Sequence, residues 1–152
     1  MHLAAYRADP RIKACAHTEP PHVNALYALN KSLPNILGNF IYAFAGRGLA
    51  VGPRMKSGTS AFATANIEAL GDRFGIVWPN HGLFCVGRTL EVAFIRSLHA
   101  EQAARLHDFD EERRAARAQR GRHALRGARE PLLRPIGRPE RPPARQRRAR
   151  HD

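Results

Sequence analysis

The stretch Ala14-Cys15-Ala16-His17-Thr18-Glu19-Pro20-Pro21 decides how the chain is organised. Small apolar residues lead into a His-x-Glu pair, and two prolines follow, which predicts a strand that stops at an abrupt turn before a helix. A strand of this kind presents His17 and Glu19 at one rim of a sheet. A second histidine, in Asn80-His81-Gly82-Leu83, lies between two apolar runs and is expected at the same rim.

These three side chains, His17, Glu19 and His81, are candidate ligands of one divalent metal ion. Zinc binds histidine nitrogen and carboxylate oxygen, and two histidines with one carboxylate leave a coordination position open for a substrate. Two simpler interpretations stay open. The histidines can be buried, hydrogen-bonded residues, and Glu19 can be an acid that favours the start of the following helix through the helix dipole.

The pattern of apolar residues and turn residues along the rest of the chain predicts an α/β domain. A helix ends at Asp9-Pro10, and Thr89 is placed to cap a last helix. In that helix Leu90, Phe94 and Leu98 form an apolar stripe with Ala93, Ala100 and Ala104 nearby, which indicates that the helix packs on something. The predicted elements between these two helices are strand 11–17, helix 21–30, strand 40–44, helix 62–70 closed by Gly71, and strands 74–78 and 83–86.

The charge of +12 is distributed unevenly. Residues 109–152 contain fourteen arginines and six acids, and residues 113–152 lack Lys, Ser, Thr, Asn, Val and aromatic residues. This composition predicts a disordered tail that buries little apolar surface. Three interpretations of the tail stay open: a nucleic-acid contact through electrostatics alone, a solvated extension, and the out-of-frame translation of GC-rich DNA.

Cys15 and Cys85 lie in apolar runs and are expected to be buried, free thiols rather than a disulfide. No apolar run of the sequence reaches the length of a membrane span, and no signal peptide precedes the first helix. The sequence therefore predicts a cytoplasmic location and no membrane partner.

Several ordered motifs resemble the class II aldolase/adducin family. They are His2-Leu3-Ala4-Ala5-Tyr6 before Asp9-Pro10, the His17-to-Pro21 turn, and Asn80-His81-Gly82-Leu83 followed by Gly87 and Thr89-Leu90-Glu91. The resemblance implies a three-layer α/β/α sandwich that assembles as a tetramer and holds a divalent metal, usually zinc. It places His17 at the first ligand position and His81 at the third. Glu19 stands at the second, where the family has a histidine.

The resemblance covers residues 1–108, with residues 109–152 as the basic tail. The family's phosphate-binding loops and its acid–base carboxylate lie upstream of Met1, so no catalytic residue is assigned here, and we expect the chain to be the central and C-terminal part of such a domain. The implied function is that of a metal-dependent aldolase, epimerase or decarboxylase acting on sugar phosphates or related hydroxy-carbonyl compounds, or an inactive fragment of one. The alternative is a non-catalytic, adducin-like assembly module.

Overall fold

A computed structural model describes residues 1–127, with side chains described through residue 120. The chain divides into two compact units, Met1–Ala115 and Ala116–Asp152, and the sheet and the core belong to the first. In chain order the elements are α1 (His2–Ala8), β1 (Ala14–Thr18), α2 (Pro21–Ala28), α3 (Gly38–Ala43), β2 (Ala50–Val51), α4 (Ser60–Leu70), β3 (Gly75–Trp78), β4 (Gly82–Gly87) and α5 (Leu90–Gly127).

Four strands form one mixed sheet in the order β1-β4-β3-β2. The β1–β4 and β3–β4 pairs are antiparallel, and β2 runs parallel to β3. Strands β3 and β4 are joined by a tight hairpin in which Asn80 has a φ of 64°, a left-handed conformation that asparagine tolerates better than most residues. In the register of β1 with β4, His17 lies opposite Phe84. The hairpin and the end of β1 therefore share one edge of the sheet.

Apolar side chains cover both faces of the central strands. One core joins α2, α3 and α5 to Val77, Leu83 and Cys85. The other joins α1 and α4 to Ile76, Trp78 and Phe84. Because successive strand residues point to opposite faces, β3 and β4 contribute alternately to the two cores. The prediction of a three-layer α/β/α arrangement is confirmed.

Most predicted helices and strands are present, with their caps. Thr59 Oγ1 accepts a hydrogen bond from the Phe62 N–H at 3.1 Å at the start of α4. Thr89 Oγ1 accepts one from the Val92 N–H at 3.2 Å at the start of α5. Cys15 and Cys85 are both buried free thiols, as expected. None of the described helices combines the length and the apolarity that crossing a membrane requires.

The prediction of a strand over residues 40–44 is wrong, because these residues belong to α3 and its C-terminus. A short apolar run fits a helix or a strand equally well by composition. The helix brings Phe40 and Phe44 together, with ring centroids 4.7 Å apart and no exposed surface on either side chain. The two-residue strand β2 lies in a segment for which the sequence predicted no helix or strand.

The prediction that α5 packs on the rest of the chain is confirmed for Ala93, Ala100 and Ala104, but not for the Leu90, Phe94 and Leu98 stripe, whose residues are 65, 49 and 46% exposed. The side of α5 that faces the sheet carries small residues instead, namely Ala93, Ser97, Ala100, Ala103 and Ala104. Small side chains let a helix backbone approach a sheet closely, and the bulkier residues are left on the outer side.

Helix α5 continues through residues 109–127, where the composition predicts a disordered tail. Alanine and arginine are both strong helix formers, and Arg114 Nε donates to Asp110 Oδ2 at 2.7 Å across one helical turn. In this segment local helix propensity therefore stabilises α5 without a packed core. Residues 128–152 lie outside the described part of the chain, and so does the rest of the prediction for the tail.

Gly52 stands where a side chain has no space. A Cβ atom there would lie 2.2 Å from Asn66 Oδ1 and 2.4 Å from Trp78 Cδ1, and both of those side chains are buried. We expect Gly52→Ala to lower the free energy of unfolding by about 1–3 kcal/mol, the usual cost of overpacking. Chemical denaturation monitored by circular dichroism measures the change.

Gly38→Ala is the matched control, because a Cβ atom at that helical position meets nothing within 4 Å. We expect it to be neutral or to stabilise by up to about 1 kcal/mol through helix propensity. Equal losses for the two variants would contradict the packing assigned to Gly52.

Candidate metal centre

His17 and Glu19 lie on either side of the point where β1 ends. His17 is the fourth residue of the strand, and Glu19 follows its last residue. Pro20 and Pro21 then begin α2, with Pro21 at the first helical position, where a missing N–H costs nothing. His81 is the last residue of the β3–β4 hairpin loop, and its N–H donates to Trp78 O at 2.9 Å.

The structure brings the two histidines together. Their ring centroids are 5.0 Å apart and the rings are nearly perpendicular, at 82°. Two imidazoles that share a tetrahedral zinc ion at the usual Zn–N distance have centroids about 5 Å apart. The spacing of His17 and His81 therefore suits two nitrogen ligands of one ion.

The indole of Trp78 contacts both imidazoles. Its ring centroid lies 5.1 Å from that of His17 and 5.2 Å from that of His81. The indole is itself fixed, since it is buried against Phe62 and Phe84 and its Nε1 donates to Asn66 Oδ1 at 2.6 Å. Sequence reasoning missed this role, although a tryptophan three residues before His81 at the end of a strand was a visible signal.

Gly82 allows β1 to approach the hairpin closely. A Cβ atom at this position would lie 2.6 Å from Thr18 O, 2.9 Å from His17 Nε2 and 3.5 Å from Glu19 Cγ. Any side chain here would collide with the backbone of β1 and with the His17 ring. A glycine after His81 is thus required by the contact between the two strands.

Glu19 is close to the histidines but is not joined to them. Its side chain is exposed, and the described residues include no group of three or more His, Cys, Asp or Glu side chains in a metal-binding arrangement. The structure therefore assembles the His17–His81 pair and leaves the carboxylate of Glu19 beside it. An exposed side chain changes rotamer on a picosecond-to-nanosecond timescale, so this carboxylate has the freedom to move.

The pKa of His17 is lowered from its ordinary value. Burial of the ring is the main cause, and the neighbouring His81 and His2 also disfavour the charged form, whereas Glu19 acts in the opposite direction. A lowered pKa favours the neutral imidazole, which is the form that binds metals.

The start of α2, directly after Glu19, is held by a carboxylate from a distant helix. Glu101 of α5 accepts hydrogen bonds from the backbone N–H of His22 at 3.1 Å and from that of Val23 at 3.1 Å. Its other oxygen lies 2.6 Å from His22 Nδ1. Glu101 thus caps α2 in place of Pro20, which makes no side-chain cap.

A small cavity of about 170 Å³ opens beside His81. Trp78 and His81 form one wall, and the loop after β2 forms another. Arg54 of that loop brings a positive charge to the cavity. The cavity therefore places the Arg54 guanidinium beside His81, which in turn contacts His17.

Comparison with known proteins identifies the class of protein that carries this site. Residues 1–107 match the family described as "Class II Aldolase and Adducin N-terminal domain". The chain belongs to this family, and the resemblance drawn from the motifs is confirmed.

Particular relatives are sugar-phosphate aldolases. The chain is 31% identical over 107 residues to the 5-deoxy-D-ribulose 1-phosphate aldolase of Bacillus thuringiensis serovar kurstaki, covering 70% of this chain and 49% of that protein. It is 30% identical over the same length to the L-fuculose phosphate aldolase of Escherichia coli K12, again covering 70% and 49%. A solved L-fuculose 1-phosphate aldolase has the same fold, with a TM-score of 0.66 at 23% identity over 73% of this chain and 51% of that one. The chain thus spans about half the length of the curated relatives it matches.

Removing the Glu101 carboxylate should loosen the segment that follows Glu19. In Glu101→Ala two backbone N–H groups and the His22 ring lose their acceptor, and unsatisfied groups of this kind cost about 1–3 kcal/mol. We expect the free energy of unfolding to fall by that amount, measured by urea denaturation.

Glu68→Ala is the control, since Glu68 is exposed on α4 and accepts no hydrogen bond from another described side chain. Its effect should stay within about 0.5 kcal/mol. A comparable loss in both variants would rule out the capping role of Glu101.

Proposed function

We propose that His17, Glu19 and His81 hold a divalent metal ion, zinc in the first instance, in a lyase site of the class II aldolase type. The observation that carries the proposal is the His17–His81 pair, with its 5.0 Å separation and its shared support on Trp78. A bound divalent ion supplies a Lewis acid that polarises a carbonyl group and stabilises the negative charge left when a neighbouring bond breaks.

The donor set fits zinc in kind. Two imidazole nitrogens and one carboxylate oxygen form a known catalytic set with an open position. Glu19 adds a negative charge where the family has a neutral histidine, so the ion should be a weaker electrophile. Trp78 and Gly82 contribute by holding His17 and His81 at the sheet edge, and the lowered pKa of His17 favours the metal-binding, neutral form of its ring.

We propose small phosphorylated hydroxy-carbonyl compounds as the substrates. The relatives are named for phosphorylated sugars, and Arg54 lines the cavity beside His81, where a guanidinium suits a phosphate group. The same relatives disfavour the adducin-like assembly module as the function. We assign no acid–base catalyst among the described residues, and such help is typically worth about 10²–10⁴-fold, so turnover by this chain should be slow.

Metal binding tests the proposed ligands directly. The full chain should bind about one equivalent of Zn²⁺, and Co²⁺ in its place should give the intense visible absorption of a tetrahedral site. Because each imidazole supplies one bond, His17→Ala and His81→Ala should each weaken binding by at least about 100-fold, measured by competition with a chelator. Glu19→Gln should have a smaller effect, and Glu19→His should tighten binding.

His99→Ala serves as the control, since His99 lies on α5 and contacts Gln102 instead. Metal binding that survives the double substitution of His17 and His81 would refute the assignment. The reaction is tested separately, by ³¹P NMR of L-fuculose 1-phosphate and 5-deoxy-D-ribulose 1-phosphate with the zinc-loaded chain. If zinc binds but neither compound is consumed, the metal site stands and the proposed substrates are wrong.

We also propose that the chain forms homo-oligomers. The exposed apolar side chains of Leu90, Phe94 and Leu98 on the outer side of α5 support this. Burying such a surface against a second copy is favourable by roughly 25 cal/mol per Å².

Leu98→Arg should shift the sedimentation coefficient at micromolar concentration toward that of the monomer, because a charge enters the apolar contact. Leu29→Arg is the control, since Leu29 is exposed at the end of α2. Wild-type protein that sediments as a monomer would contradict the proposal.

A further inference from the structure

A second cavity, of about 500 Å³, lies at the other end of the sheet from the histidines. It is lined by Val86 and Gly87 at the end of β4, by the loop before β1 and by the loop between α4 and β3. The histidine pair lies at the opposite end of β4, near Gly82, and six strand residues span about 17 Å. The two cavities are therefore separate, and the larger one falls within the range of about 300–1,000 Å³ that is typical of small-molecule sites.

Arginines dominate the polar lining of this cavity. Five of them meet there with only two aspartates, which leaves three positive charges in excess; the arginines are Arg11, Arg47, Arg73, Arg88 and Arg96. This number of guanidinium groups around one space is unfavourable without counter-charge, because like charges repel more strongly where protein replaces water.

The two aspartates are already engaged. Asp9 accepts three hydrogen bonds from the Arg11 side chain at 2.7–3.0 Å, and this pairing lowers the pKa of Asp9 to about 2. Asp72 lies 3.4 Å from Arg47 Nε. Within the described residues, Arg73, Arg88 and Arg96 have no carboxylate oxygen within 4.0 Å.

Arg96 is the most constrained of these three. It is half-buried, with its guanidinium 4.0 Å above the Phe74 ring, its Nε donating to Ala43 O at 2.9 Å and its Nη1 donating to Val86 O. These bonds use two of the five N–H groups of the side chain and fix the plane of the fork. The partial burial that lowers the pKa of Arg96 also makes a nearby negative charge more favourable there.

The rest of the lining is apolar. Phe74 and aliphatic side chains, among them Ile12, Ile67, Leu70 and Val92, face the same space as the arginines. A ligand that suits both parts of the cavity carries a strong, compact negative charge on an apolar or planar body. A phosphate monoester has a charge of about −1.5 to −2 near pH 7 and three acceptor oxygens, whereas a carboxylate offers one charge and two oxygens.

We propose that this cavity binds an organic phosphate monoester, with its phosphate among Arg73, Arg88 and Arg96 and its organic part against Phe74 and the aliphatic wall. The site is independent of the proposed metal centre, because it shares no residue with it and lies at the other end of β4. It needs neither a metal ion nor a chemical step.

Phenyl phosphate is a suitable probe, titrated calorimetrically into the full chain in the presence of a chelator. We expect saturable binding with one site per chain, tighter than that of inorganic phosphate and lost for phenol, which lacks the charge. Arg73→Gln combined with Arg88→Gln should weaken binding at least about tenfold, since each side chain is exposed and its loss removes charged hydrogen bonds without disturbing the core. Arg96→Lys keeps the charge but loses the planar fork, so it should weaken binding as well.

Arg105→Gln is the matched control, because Arg105 is an exposed arginine of α5 that does not line the cavity. It should change the affinity less than about twofold, and so should His17→Ala combined with His81→Ala. Absence of saturable binding up to about 10 mM would overturn the proposal. An equal loss of affinity in Arg105→Gln would show diffuse attraction to a basic surface. A loss of affinity confined to the histidine variant would place the ligand at the other site. Either result would overturn the proposal. Equal affinity for phenyl phosphate and inorganic phosphate would contradict the proposed contact of the organic part with Phe74 and the aliphatic wall.

Discussion

The hydrogen bond from Trp78 Nε1 to Asn66 Oδ1 is the constraint on which the candidate metal centre depends. Both partners are buried, and Asn66 is itself anchored because its Nδ2 donates to Phe62 O at 2.8 Å. An amide without partners at this depth would cost several kcal/mol, so the three groups satisfy one another as a unit. These hydrogen bonds fix the orientation of the indole, and both imidazoles contact the indole. A polar contact in the layer of α4 thereby sets the geometry of a site at the sheet edge.

The two ends of the sheet carry different kinds of side chain. At the hairpin end the groups are few: two imidazoles beside an indole, with the Glu19 carboxylate and the Arg54 guanidinium nearby. At the other end positive charge is concentrated around a larger, partly apolar space. Strand β4 passes through both environments with all six of its residues buried, and it acts as a rigid spacer between them. Each end therefore has its own electrostatic character, and a ligand at one end need not disturb the other.

Much of this arrangement could be predicted from the sequence, and the exceptions have physical reasons. Thr89 predicted a helix start correctly because a capping hydroxyl is a local signal, and His17 and His81 were found because their turns are distinctive. Phe40–Phe44 was assigned to a strand because a five-residue apolar run has no period long enough to discriminate. The packing of α5 was assigned first to its leucines and phenylalanine, with the alanines only nearby, because alanines carry little apolar signal, although they decide how near the helix lies. The support from Trp78 and the cap from Glu101 depend on tertiary packing, which no local pattern reports.

The hydrogen bonds that Glu101 accepts at the start of α2 also bear on how the site forms during folding. Glu101 reaches back 79 residues to His22, Thr18 Oγ1 lies 2.5 Å from Ser97 Oγ across the same interval, and β1 pairs with a strand far along the chain. Contacts of such high sequence separation require large loops to close, which makes them slow to form. The contact between His17 and His81 is of the same long-range kind. An ion held by both histidines of the folded chain, as proposed above, would stabilise the folded state relative to the unfolded one.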